Sequence, residues 1–294
     1  MLPYRPEGLM NPPTTPDALH RALSTGEIFQ ATCLKCDEFH NLHVDLGAIR
    51  GVIPREETAI GIADGATKPY AILSRVGKPV CFQVLGFDSR GCAVLSRRAA
   101  QADARDYFLS TLHPGDVIPA VVLNAADFGV FCDIGCGFPA LMRISRCCTS
   151  RLEDTASHFK TGQLIYVAVL AVDDRAGQVH LTGRELLGTW EENAARFRPG
   201  QTVPGIVRSV MPYGVFVELA PNLSGLAEPA GDLVPGTPVS VHIRAILPEK
   251  HKLKLNIIEI LPEVPKPAPL EYFITSGHLD RWEYFSGSKA VTVF

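Results

Sequence analysis

Two copies of one phrase hold the side chains of this chain best placed to do chemistry: Asp127-Phe128-Gly129-Val130-Phe131-Cys132-Asp133-Ile134, and further along Pro212-Tyr213-Gly214-Val215-Phe216-Val217-Glu218-Leu219. Each sets two aromatic rings three residues apart around a glycine. Paired exposed rings are the minimum platform on which unpaired nucleobases stack, each stacked base contributing about 1–3 kcal/mol. Strict strand alternation sends residues three apart to opposite faces. A bulge or bend at Gly129 or Gly214 brings both rings to one side. The competing reading is structural, with one or both rings plugging the end of a small barrel as core.

Basic side chains that could accompany such rings are local, because the formal net charge of the 294 residues is −3. That balance argues against packaging of duplex DNA. Lys250, His251, Lys252 and Lys254 form the densest basic cluster. Lys252 and Lys254 alternate with Leu253 and Leu255, so a strand there puts both lysines on its outer face, with Arg208 expected nearby. A solvated hairpin tip explains the same lysines.

Other chemistries find less support. Cys33-Leu34-Lys35-Cys36 has the spacing of half a zinc site, but no second such pair exists and Cys147-Cys148 are adjacent. The eight cysteines scatter through predicted strands and read as reduced core thiols. No GxSxG elbow, phosphate-binding loop or HExxH helix is present. Asp133, Asp173 and Glu218 fall near strand ends, where acids satisfy loop amides. The expectation is a non-enzyme without cofactor or metal.

The elements that must position the rings follow from repetition of the text around them. A glycine and a valine-rich run precede each phrase (Gly115-Asp116-Val117; Gly200-Gln201-Thr202-Val203), and a second such run follows (Gly162-Gln163-Leu164; Gly236-Thr237-Pro238-Val239). The pattern predicts an all-β chain of tandem five-stranded modules joined by short helices, with a small C-terminal β meander. An arm and short helix occupy 1–25, with Thr15 as N-cap and Pro16 as first helical residue. A divergent first module spans 26–98, a linker helix 99–114, a second module 115–187, a second linker helix 188–199, and a third, shortened module 200–261. Residues 262–294 form a proline-rich linker (Pro262, Pro265, Pro267, Pro269) and an aromatic meander of three short strands, Glu271 to Thr275, Arg281 to Phe285 and Ala290 to Phe294.

Five strands, the opening glycine, the aromatic-Gly-x-Phe junction and the closing phrase Val172-Asp173-Asp174-Arg175-Ala176-Gly177-Gln178-Val179-His180-Leu181 together resemble the S-one RNA-binding domain, the OB-fold repeat of ribosomal protein S-one. The second module matches throughout, and the third except in its shortened connection. The first matches in strand order and in Phe87 to Ser96, but has His40-Asn41-Leu42-His43 where the aromatic phrase belongs. The resemblance implies that the five-stranded modules are OB-type barrels and that Phe128, Phe131, Tyr213 and Phe216 are stacking residues. It implies a basic partner on strand three, where Arg143 stands in the second module and Glu228 in the third. On strand five it implies basic positions, occupied here by Gln178 and His180, and by Lys252 and Lys254. The first module has Pro54, Cys92 and Val94 at these places and is expected to dock rather than to bind RNA.

The function expected is single-stranded RNA binding in translation or messenger handling, with messenger RNA and the small ribosomal subunit as partners and no membrane or small-molecule substrate. The alternative is a protein-interaction scaffold of degenerate modules docking on a ribosome or RNA-processing complex, which the acidic balance and Glu228 favour. No apolar run approaches bilayer length, and Met1-Leu2-Pro3-Tyr4-Arg5-Pro6 lacks a signal-peptide pattern, so a cytoplasmic location is expected.

Overall fold

The computed structural model describes residues 3–13, 15–47, 49–229, 231, 233–263 and 270–294. It divides into two compact units: residues 1–111 with 133–139 and 174–177, and residues 112–132, 140–173 and 178–294. Pro265, Pro267 and Pro269 of the expected linker, and Ala230 and Asp232 of the shortened connection, lie outside the described residues.

In the first unit, helix α1 (Pro16–Thr25) begins where the Thr15 hydroxyl accepts from Ala18 N–H, with proline in the first turn. Its buried Ala18, Leu19 and Ala22 pack with a barrel of β1 (Phe29–Cys36), β2 (Leu42–Asp45), β3 (Arg50–Ile53), β4 (Pro79–Phe87) and β5 (Ala93–Ser96). Alternation along β1 sends Phe29, Ala31 and Cys33 inward against Leu42, Ile53, Phe82 and Leu95. Each large side chain so buried contributes about 1.5–3 kcal/mol. A single turn, α2 (Tyr70–Leu73), lies between β3 and β4, and α3 (Arg97–Thr111) follows β5, burying Ala100, Ala104 and Phe108 at four-residue spacing.

The N-terminal arm is irregular but anchored. Glu7 is buried, and its carboxylate takes the Arg97 guanidinium at 2.6 and 2.8 Å and the Cys81 N–H at 3.0 Å. Asp133 accepts from the N–H groups of Glu7 (2.7 Å), Gly135 (2.8 Å) and Gly137 (2.9 Å), so this acid does satisfy loop amides.

The second unit holds two further barrels. One comprises β6 (Val117–Ala126), β7 (Gly129–Asp133), β8 (Pro139–Arg143), β9 (Leu164–Asp173) and β10 (Gln178–Thr182). The other, after the capped turn α4 (Trp190–Ala194), comprises β11 (Thr202–Met211), β12 (Gly214–Ala220), β13 (Leu223–Ala227), β14 (Pro238–Leu247) and β15 (Lys252–Ile260). All three barrels close in one order, first-second-third-fifth-fourth, with third and fifth strands parallel (Gly51↔Ala93, Leu141↔His180, Leu226↔Lys254). That is the five-stranded OB arrangement, three times in tandem.

Segment 270–294 supplies β16 (Arg281–Glu283) and β17 (Val291–Val293), an antiparallel pair. The expected strand from Glu271 to Thr275 does not form. Phe273 N–H donates to Leu186 O at 2.9 Å and the Tyr272 ring sits 5.3 Å from that of Tyr166, so these residues dock singly instead of pairing along a ladder.

Candidate nucleic-acid interface

In the second and third barrels the first ring of each pair leaves the strand altogether. Asp127 and Phe128 form the two-residue turn between β6 and β7, so alternation places no constraint on Phe128, which is 58% exposed. Tyr213 occupies the same place in the turn closed by Met211↔Gly214 and is 65% exposed. The second ring of each pair, Phe131 or Phe216, lies half-buried on the strand beside it. The Phe128 and Phe131 rings meet edge to face at 5.8 Å and 84°, and the Tyr213 and Phe216 rings at 6.3 Å and 90°.

Glycine is required at both turns by a close approach of backbone. A Cβ on Gly129 would lie 2.5 Å from Met142 O, and one on Gly214 would lie 2.6 Å from Ala227 O. The hairpin tip is thereby pressed onto the end of the third strand of its barrel. In the second barrel Ile144 N–H donates to Phe128 O at 2.9 Å, which sets the exposed Arg143 beside the ring pair. In the third barrel the matching residue is Glu228, exposed and paired at 3.3 Å with the also exposed Arg244.

Register extends the row from the rings across the sheet. Phe216 pairs with Leu226, and Leu226 with Lys254, so ring, aliphatic surface and ammonium stand in one row. In the second barrel Leu141 pairs with His180, which is half-buried. Lys252 and Lys254 are both exposed on β15.

Arg208 departs from the sequence expectation. It is only 7% exposed, and its Nε and Nη2 donate to Glu218 Oε2 and Oε1 at 2.9 and 3.0 Å. The cause is a bulge between Val207 and Ser209, which leaves Arg208 unpaired and buries it together with Val207. His158 Nε2 lies 2.9 Å from the same carboxylate. Burial opposes ionisation of Glu218, but the His158 and Arg208 hydrogen bonds outweigh it and hold the carboxyl below its ordinary range.

His251 also leaves the basic cluster. Its ring stacks on Phe285 at 4.1 Å and 11°, and its Nε2 meets Glu191 at 2.9 Å.

In the first barrel the structure keeps His43 where the phrase alignment sets it and adds one residue that the sequence reading missed, Phe39. Lys35 pairs with His43 just after a bulge between Cys33 and Lys35, as Ser209 pairs with Phe216 just after the Val207/Ser209 bulge. His43 therefore holds the position of Phe216. The turn from Asp37 to Asn41 carries Phe39, 69% exposed, at the tip. The longer turn carries its ring outside the four-residue phrase, and the signal available was an aromatic residue between two turn formers, Asp37 and Asn41. Asp37 organises the tip, accepting from Phe39 N–H (3.0 Å), Asn41 N–H (2.8 Å), Asn41 Nδ2 (3.0 Å) and His43 Nε2 (3.0 Å).

Among the described residues one trio of metal-type ligand atoms converges, Cys148, His158 and Glu218, all within 4.8 Å of one another. No sequence spacing announces it. The Arg208 guanidinium already occupies both Glu218 oxygens, and its charge opposes a cation there. Cys33 and Cys36 do not group with a third ligand among the described residues; burial, foremost, raises both thiols above the usual range.

Strand order, tip geometry and register define a class: an all-β protein of three tandem OB-type barrels resembling S-one domains, two of them bearing an edge-to-face ring pair at the hairpin tip. No family model matches the chain. The chain is similar to the small ribosomal subunit protein bS1 homolog of Bacillus subtilis, 28% identical over 86% of this chain and 68% of that one. It is similar also to small ribosomal subunit protein bS1 of Rhizobium meliloti (26% identical; 74% of this chain, 38% of that one) and of Leuconostoc lactis (27%; 76% and 54%). The chain thus spans little more than a third to about two thirds of these relatives' lengths. Among solved structures, a multidomain protein with nucleic acid binding domains from Streptococcus pneumoniae covers 79% of this chain and 73% of that one, at 16% identity and a TM-score of 0.27, a likeness that carries no weight beside the strand order itself. Among the described residues no helix is long and apolar enough to cross a membrane.

Proposed function

We propose that the chain binds single-stranded RNA, in the cytoplasm, with messenger RNA on or near the small ribosomal subunit as its substrate. The observation that carries this reading is the repetition of one ring pair, its first ring more than half exposed, at the same tip of two barrels, Phe128 with Phe131 and Tyr213 with Phe216. A ring that is more than half exposed contributes little to folding, so its recurrence calls for something that covers it. Unpaired bases offer flat faces of the right size, and Arg143, His180, Lys252 and Lys254 lie on the neighbouring strands to meet phosphates. The names of the relatives, small ribosomal subunit proteins, support the same setting. Arg208 takes no part in this surface, since its charge is spent on Glu218.

The test is titration of labelled single-stranded RNA at two salt concentrations, with wild type and Phe128→Ala/Phe131→Ala/Tyr213→Ala/Phe216→Ala. Salt-sensitive binding that the substitutions abolish without unfolding is expected. Absence of wild-type binding at tens of micromolar would instead favour the docking-scaffold reading.

A further inference from the structure

Besides the Tyr272–Tyr166 ring contact and the Arg196–Glu271 pair, segment 270–294 meets the rest of the second unit at three places. At the first, Leu279 N–H donates to Gly115 O (2.9 Å), Val117 N–H donates to Gly277 O (3.0 Å), and His278 Nδ1 lies 2.8 Å from Asp116 Oδ1. A Cβ on Gly115 would sit 2.2 Å from Leu279 O. Gly200 opens the third barrel with nearly the same backbone (φ 90° against 94°), yet nothing lies within 4 Å of its would-be Cβ. The turn needs glycine in both barrels for its φ, and in the second it is also a seat.

At the second place Phe273 lies against Gly188, where a Cβ would meet its ring at 2.5 Å. At the third, Trp282, Tyr284, Phe285 and Thr292 close over the junction of the two barrels. The Thr292 hydroxyl donates to the fully buried Glu185 and accepts from Arg184 Nη2 at 2.9 Å. Arg184 lies over the Trp282 ring at 5.8 Å. The Tyr284 hydroxyl donates to Asn222 O, and Tyr284 O accepts from Trp190 N–H at 2.9 Å. Phe285 stacks on His251. Beneath them the buried Asn222, in the β12–β13 turn, accepts from Thr149 N–H (2.9 Å) and donates to Arg184 O (2.7 Å) and Gly188 O (2.8 Å). One segment therefore grips the second barrel, the α4 linker and the third barrel together.

We propose that segment 270–294 is a clasp that fixes the second and third barrels as one body, so that their two aromatic tips engage a single RNA strand as one bipartite site. The proposal rests on the RNA reading above. Two tips held in place pay no ordering cost at each encounter, whereas loosely tethered barrels see only the effective concentration their linker provides. The consequence is a length dependence: a strand that reaches one tip gains nothing from the clasp.

Both tryptophans of the chain, Trp190 and Trp282, are buried in this seam, so intrinsic fluorescence reports release of the clasp. Full-length Tyr284→Ala/Thr292→Val, with Phe273→Ala/Phe285→Ala as a second variant should the first misfold, would be titrated with oligouridylates of about 6 and about 24 nucleotides. Wild type is expected to bind the long strand about 10-fold more tightly than the short one. Released variants, marked by red-shifted emission, should lose about 10-fold on the long strand and stay within about 2-fold on the short. Released variants that hold the long strand as wild type does would overturn the clasp and leave the RNA reading standing. Unchanged emission in both variants overturns it too, because the contacts named would then not seat the segment. A wild type that binds neither strand overturns the RNA reading and the clasp with it.

Discussion

At the tip of the second barrel Phe128 and Phe131 meet edge to face beside Arg143; at the tip of the third Tyr213 and Phe216 meet at nearly the same angle beside Glu228. Ring geometry is shared and charge is not. The shared part depends on backbone: a two-residue turn, a glycine pressed against the third strand, and a half-buried ring on the second. The differing part is side chain alone, since an exposed carboxylate or guanidinium at the end of the third strand leaves the tip unchanged. The third barrel offers a compensation on its fifth strand, where Lys254 stands in register with Leu226 and Phe216, while the second has His180 opposite Leu141. On the RNA reading proposed above, stacking would be common to both barrels and attraction for phosphate would be tuned separately in each.

The strongest way to break the shared part is to deny the close approach. Gly129→Val and Gly214→Val each force a Cβ toward a carbonyl oxygen of the third strand, Met142 O at 2.5 Å or Ala227 O at 2.6 Å. Backbone cannot yield there as a side-chain tip would, so each substitution should cost about 3 kcal/mol in urea denaturation. Equal losses would show that the two tips are held by the same contact. A neutral outcome at either would show that the turn, not the glycine, sets its ring pair.

Exchanging the charges addresses the differing part at a smaller scale. Arg143→Glu should weaken RNA binding about 5-fold, and Glu228→Arg should strengthen it by a similar factor, each changing the slope of log affinity against log salt by about 0.7 per phosphate contact. Thermal midpoints should hardly move, because both sites are exposed and the Glu228–Arg244 pair is an open surface pair. Slopes that do not move would place the phosphates elsewhere on the barrels.

The architecture was legible because repetition speaks for itself: two copies of a phrase, with matching glycines before and after, mark out modules of five strands, and the S-one resemblance implied their OB arrangement. The ring pairs were legible for the same reason, although the mechanism differs in part, since Phe128 and Tyr213 sit in turns where alternation has no force. Arg208 was not legible. A bulge of one residue between Val207 and Ser209 turned it inward, and nothing in Val207-Arg208-Ser209 marks a bulge. The expected strand over Glu271 to Thr275 failed because aromatic spacing describes docking residues as well as strand residues. His251 was misplaced because its partners, Glu191 and Phe285, come from distant sequence.

The first barrel tests how far the comparison extends. His43 stands where Phe216 stands, and Phe39 is exposed at the tip, but here the turn is held by a carboxylate rather than by a glycine pressed on the third strand. Burial works against the Asp37 charge; the Asn41 N–H, the His43 ring, the Asn41 amide and the Phe39 N–H outweigh it and hold the carboxyl at about 2 rather than 3.8. A carboxyl depressed in the folded state contributes stability that is fully present above its unfolded value and is lost as pH falls through the folded one. The tip of the first barrel should therefore keep its order from neutral pH down to about 4 and lose it progressively toward about 2. The change should be small, because the site is open to solvent, and should be confined to the turn. Chemical shifts of the Phe39 and Asn41 amides followed by NMR across that range read it directly. Asp37→Asn, which keeps the shape but gives up the charge, should abolish the dependence. A transition centred near the ordinary value of 3.8 would mean that the four donors do not hold Asp37 as a unit, and that the first tip is a loose loop rather than a third, differently braced platform.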